Sequence, residues 1–133
     1  MGKPALRFAG MFRELGPVGL DLVQESIFDN VSAEEMPDVD EVVRYLRAGY
    51  VLIDMMDLAD DPFDSARQVM NGSTIRTDGD WLWRDDLAYY VHRHRVALPE
   101  DFLALIRERR YTVPHRDDEL LREWSVVAEE LMF

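Results

Sequence analysis

Asp78-Gly79 sits between two short segments rich in β-formers, STIRT before it and WLWR after it. Asp-Gly is a favoured two-residue hairpin turn, because both central positions take a positive φ that few residues tolerate. A hairpin about this turn pairs Thr77 with Asp80, Arg76 with Trp81, Ile75 with Leu82 and Thr74 with Trp83. Side chains alternate along each strand, so Ile75 and Leu82 share one face while Arg76, Trp81 and Trp83 share the other. Both faces are apolar, and two arrangements answer that. Helices cover both sides, with Arg76 stacked on Trp81, or one tryptophan stays partly exposed as an interface anchor.

The flanking segments extend the pattern. YVLIDMM (50–56) is short and β-rich and reads as a buried strand. Short connections then favour a three-stranded antiparallel sheet over about 50–56, 73–77 and 80–84. Before it, Val39, Val42, Val43 and Leu46 form one helical stripe over about 39–48. Asp38 and Glu41 have capping-box spacing, and Gly49 stands where a terminating glycine belongs. Asp61-Pro62 and Asn71-Gly72 bracket a short helix over about 62–70. Leu20, Val23 and Ile27 have the spacing of another.

The C-terminal half is helical. Asp85 and Asp86 open a helix to about Arg95, Pro99 opens the next, and Leu120, Trp124, Val127 and Leu131 line one face of a last helix over about 116–131. The expected architecture is α+β, a small antiparallel sheet with helices before and after it. At 133 residues the chain fits one domain, 1–133, long enough to bury a core.

Charge narrows the partners. The net charge is −12, and residues 21–64 hold thirteen acids against two arginines, a net −11. Such a field repels nucleic-acid backbones and draws in basic partners. It is equally the signature of a solvated acidic face. Cysteine is absent, so neither disulfides nor thiolate chemistry is available. MGKPALRFAGMFRELG lacks the long apolar stretch of a signal peptide, and no apolar run approaches the roughly 18 residues of a membrane span. A cytoplasmic protein that neither binds nucleic acid directly nor inserts in a membrane is expected.

Catalytic and metal chemistry finds little support. His92 and His94 point about 200° apart on a helix and cannot share one ion, and His115 is the only other histidine. The carboxylates of DMMDLADDPFD lack the glycine turn of a calcium loop. No P-loop, G-x-S-x-G or G-x-G-x-x-G motif is present. Neither a metal nor a cofactor is expected. An Asp80–His92 or Asp85–His94 dyad can be drawn, but nothing in the spacing requires it.

GSTIRTDGDWLWRDDLAYYVHRHRVALPEDFL, about residues 72–103, resembles a block in small proteins of high-GC bacteria, in which TDG-W-WR-DL-YY precedes an LP-x-x-F helix start. Those proteins are associated with immunity to polymorphic toxins. The resemblance supplies no catalytic residues. It implies a non-enzymatic, acidic inhibitor of a basic toxin domain or other basic protein.

On that reading the partner-binding residues are Asp54, Asp57, Asp60, Asp61 and Asp64, with Trp81, Trp83 and Tyr89 as aromatic contacts. The alternative is a small enzyme or ligand-binding domain whose pocket is lined by Trp81, Trp83, Tyr89, Tyr90 and His94. A homo-oligomerising module is the third option.

Overall fold

The structure is a computed structural model that describes residues 6–20 and 22–133. The first five residues of the N-terminal stretch, and Asp21 within the segment read as a helix, lie outside the described residues. In chain order the elements are β1 (Arg7–Ala9), α1 (Val39–Arg47), β2 (Tyr50–Ile53), β3 (Leu58–Asp61), β4 (Asp64–Met70), β5 (Ile75–Thr77), β6 (Trp81–Arg84), α2 (Asp86–His94), α3 (Glu100–Glu108) and α4 (Asp118–Met132). The class is α+β. The sheet is larger than the expected three antiparallel strands: a four-stranded mixed sheet runs β1-β6-β5-β2, and β3 and β4 form a separate two-stranded ribbon.

The apolar hairpin is covered on both faces. On one, Trp81 and Trp83 pack with Val42, Tyr45 and Leu46 of α1, Tyr90 of α2 and Phe102 of α3. On the other, Ile75 and Leu82 pack with Ala128 and Leu131 of α4. Burial of this kind contributes roughly 1.5–3 kcal/mol per large side chain. Trp83 has no exposed surface, and its Nε1–H donates to the Leu46 carbonyl at 3.1 Å.

The hairpin register differs from the two-residue-turn expectation. Ile75 pairs with Arg84, Arg76 with Trp83 and Thr77 with Leu82. Side chains close the turn: Asp78 Oδ1 accepts the amides of Asp80 and Trp81, while Thr77 Oγ1 accepts from Gly79 N–H and donates to the Trp81 carbonyl. These bonds widen the connection and move each partner on β6 by two residues. A shift of two leaves every side chain on its face, so the expected separation of Ile75 and Leu82 from Arg76, Trp81 and Trp83 holds. Arg76 does not stack on Trp81. It donates to Asp85 at 2.5 Å and to the Gly49 carbonyl, and the guanidinium 4.5 Å above the Trp81 ring is that of Arg7.

β1 extends the sheet from a segment in which no strand was expected. Arg7, Phe8 and Ala9 run parallel to Trp81, Leu82 and Trp83. Residues 62–70 are not helical: Asp61 Oδ1 accepts the Phe63 amide at 2.8 Å, making Asp61-Pro62 a hairpin turn instead of a helix start. An isolated nine-residue helix is marginal in water, whereas the ribbon closes backbone bonds and carries Phe63 onto the His94 ring at 4.3 Å. Val23 is not in a helix, and a short 3-10 turn at Ile27–Asn30 follows it. β2 ends at Ile53, short of residue 56, because the Thr74 hydroxyl takes over the ladder by accepting the Met55 amide.

α1 and α4 lie within a residue or two of their expected bounds, but some capping roles differ. Asp38 makes no cap bond and instead receives Arg107 and Tyr111. Gly49 follows the helix, yet its φ is not positive. A Cβ there would lie 2.6 Å from the Trp83 ring, so glycine is required by close packing.

The turn beneath the Asp-Gly pair gathers the helices. Asp78 Oδ2 receives the Tyr45 hydroxyl at 2.6 Å and an Arg109 N–H at 3.2 Å. Asp80 pairs with Arg109 and Arg116, and Trp124 Nε1–H donates to the Gly79 carbonyl at 2.7 Å. Desolvation and the neighbouring Asp78 carboxylate push the Tyr45 phenol well above its ordinary value.

Candidate functional site

The β3–β4 ribbon stands outside the main sheet, and its two faces differ. Strand alternation turns Leu58 and Asp60 outward while Ala59 and Asp61 face the body. Across the ribbon Leu58 pairs with Met70 and Asp60 with Gln68. Leu58 is 59% exposed, Met70 71% and the adjacent Met56 92%. Three large apolar side chains are thus in water at the base of one hairpin. Asp54 and Asp60 are exposed beside them in sequence and Asp57 is half-buried.

The inner face is tied down at both ends. At the base, Asp57 accepts the Ser73 hydroxyl at 2.5 Å, and its carbonyl accepts the Asn71 amide at 2.7 Å. Asn71 adopts the left-handed conformation, as a turn asparagine can. Near the tip, the Asp61 carboxylate is fully buried and accepts the Tyr89 hydroxyl at 2.7 Å and His94 Nε2 at 2.8 Å. A carboxylate only accepts, so the proton of that contact sits on Nε2. Burial pushes the Asp61 carboxyl up, but the bonds from Tyr89, His94 and the Phe63 amide outweigh it and hold the group below its ordinary value. Phe63 covers the His94 ring and meets Phe28 edge-on at 4.9 Å.

The five aspartates expected to act together therefore divide. Asp61 is a buried latch and is not available to a partner. Asp57 is engaged with Ser73, Asp64 accepts the Ala66 amide and pairs with Arg67, and Asp60 accepts a Gln68 N–H. Asp54 lies 3.5 Å from the Thr74 hydroxyl. Trp81 and Trp83 are covered by this chain's own helices, at 4% and 0% exposure, so neither is a surface anchor. Tyr89 is half-buried with its hydroxyl committed to Asp61. Met56, Leu58 and Met70 were missed. Leu58-Ala59-Asp60-Asp61 runs apolar-apolar-polar-polar, so no period-two pattern marks this strand; its alternation is visible only in the burial of the folded ribbon.

The alternative aromatic pocket separates as well. Tyr89, Tyr90 and His94 gather around Asp61 and Phe63, whereas Trp81 and Trp83 pack on Phe102 in the core beneath α1 and α3. The dyad that forms is Asp61–His94. Asp80 and Asp85 pair instead with arginines. Among the described residues His94 makes no hydrogen bond to a hydroxyl that could serve as nucleophile.

A cavity of about 470 Å³ adjoins the ribbon base, with Glu14, Asp57, Asp60 and Arg84 among its walls. Most of its polar groups are satisfied internally. Glu14 accepts from Ser26 and Ile27, and Arg84 donates to Asp86 and to the Leu15 carbonyl. Asp86, behind that arginine, is fully buried, and desolvation pushes its carboxyl up to about 6 against the pull of the guanidinium.

Among the described residues no group of three histidine, aspartate or glutamate side chains is placed to hold a metal ion, and no helix is long and apolar enough to cross a membrane. Comparison with family models, with curated proteins and with solved structures returned no match.

Proposed function

We propose that this chain is a cytoplasmic, non-enzymatic binding protein that takes a basic protein partner on the outward face of the β3–β4 ribbon, acting as an immunity-type inhibitor of a toxin domain. One observation carries the reading: Met56 and Leu58, within the chain segment that holds most of the excess negative charge, are exposed together with Met70, which pairs with Leu58 across the ribbon. Apolar anchors supply most of the binding energy in interfaces, and flexible methionine suits an adaptable contact. Surrounding carboxylates steer a cationic partner and accelerate its arrival. The Asp61 latch and the Asp57–Ser73 bond hold the ribbon in position before binding, which lowers the ordering cost. The resemblance of residues 72–103 to immunity-associated proteins supports the inhibitor role, and the separation of the aromatic residues favours binding over catalysis.

The test uses the intact protein as bait, beside a Met56→Ser/Leu58→Ser/Met70→Ser variant and an Asp54→Asn/Asp60→Asn/Asp64→Asn variant. The reading expects a captured protein of basic pI, bound less tightly by both variants and released by salt, whose toxicity on expression is relieved by the wild-type chain. A captured protein bound equally by all three forms overturns it.

A further inference from the structure

A second concavity lies beyond the ribbon tip, between residues 32–36, residues 95–98 and the start of α3. Its volume is about 210 Å³. That is below the roughly 300–1,000 Å³ of sites for drug-sized ligands, and the size suits one large side chain. Met36, Val96, Leu98 and Leu103 give it an apolar floor, while Glu34, Glu35 and Glu100 stand at its edge. These three glutamates are exposed, and among the described residues none of their side chains has an ion-pair or hydrogen-bond partner.

The walls are held by backbone bonds. Val31 and Val96 form an antiparallel bridge, the Ser32 amide donates to the Arg95 carbonyl, and the Ala97 amide donates to the Asn30 carbonyl. Arg95, in the left-handed conformation after α2, donates to the Ala33 carbonyl at 3.0 Å, so the one cation at the edge is directed at the wall. A pre-shaped apolar hole with unpaired carboxylates at its mouth matches an interface anchor site, in which a buried side chain supplies affinity and rim charges supply selection. Exposed Phe28 and Val31 join it to the ribbon, since Phe28 touches Phe63 at the ribbon tip and Val31 bridges to Val96 in the cavity wall.

We infer that this cavity receives an aromatic side chain flanked by lysine or arginine, from a basic segment of the partner that also meets the ribbon. The inference rests on the reading of a basic protein partner. It places the specificity-determining contact on the far side of the Asp61–His94 latch.

The test is an amide chemical-shift titration of the full chain with three capped peptides, Lys-Lys-Trp-Lys-Lys, Lys-Lys-Gly-Lys-Lys and Glu-Glu-Trp-Glu-Glu. The first is expected to shift Ser32, Met36, Val96 and Leu103, and to bind about tenfold tighter than the other two. Leu103→Trp fills the cavity, and Glu34→Gln/Glu35→Gln/Glu100→Gln removes only exposed charge. Each is expected to weaken the first peptide about tenfold, and the second variant keeps the test open should Leu103→Trp fail to fold. Equal binding of the tryptophan and glycine peptides, no binding, or shifts confined to Met56–Met70 overturns the inference. None of these results removes the ribbon reading, which fails separately if the Met56/Leu58/Met70 variant keeps full affinity for the captured partner.

Discussion

Replacing Asp61 by alanine tests how the candidate surface is held. The carboxylate is fully buried and accepts three hydrogen bonds, from the Phe63 amide at 2.8 Å, Tyr89 at 2.7 Å and His94 at 2.8 Å. Hydrogen bonds to a charged group contribute about 1.5–3 kcal/mol each, but they are not additive. Tyr89 is half-buried and the His94 side chain is 18% exposed, so water replaces part of what they lose. The expected cost is therefore about 3 kcal/mol, the loss of one to two such bonds in full. Against a total stability of about 5–15 kcal/mol this is a large fraction.

Asp61→Asn keeps acceptor oxygen but loses the charge, and should cost about half as much. Urea unfolding measures both losses, and amide exchange across Leu58–Met70 locates them. Protection in the ribbon should fall more than protection in β5 and β6. A loss below about 1 kcal/mol for Asp61→Ala, with ribbon amides as protected as in wild type, would refute the latch.

Gly49→Ala places a Cβ 2.6 Å from the Trp83 ring, which cannot move far in a filled core, so a loss of about 1–3 kcal/mol is expected by thermal or urea unfolding. Trp83→Ala empties that core and orphans the Leu46 carbonyl, for about 3–5 kcal/mol by the same measurement. Burial raises the folded Asp86 carboxyl to about 6 from 3.8, so the native state holds more protons in that window. Stability should fall by about 3 kcal/mol from this group as pH rises from 3.8 to 6. Denaturation across pH checks that slope, and Asp86→Asn removes it. Asp38 behaves oppositely. The Arg107 hydrogen bond holds it at about 2 against burial, so its stabilisation is complete above 3.8 and lost as pH falls towards 2. Asp38→Asn should flatten the acid limb of the same curve.

What local pattern determines was legible in the sequence alone. The stripes of α1 and α4 could be read because apolar side chains three and four apart must share a helix face. The two faces of the Trp81–Arg84 hairpin could be read because alternation survives a register shift of two. The acidic character of the middle segment needed only counting. Tertiary structure decided the rest, through groups distant in the chain. β1 exists because Trp81, Leu82 and Trp83 offer it an edge. Asp64–Met70 is a strand because Tyr89 and His94 capture Asp61 at the preceding turn. Whether Trp81 and Trp83 face a partner depended on Phe102 and Tyr45, whose positions no short-range pattern encodes. Once those rings closed over the tryptophans, the apolar side chains left in water along the ribbon were Met56, Leu58 and Met70, because they stand on the side turned away from the body.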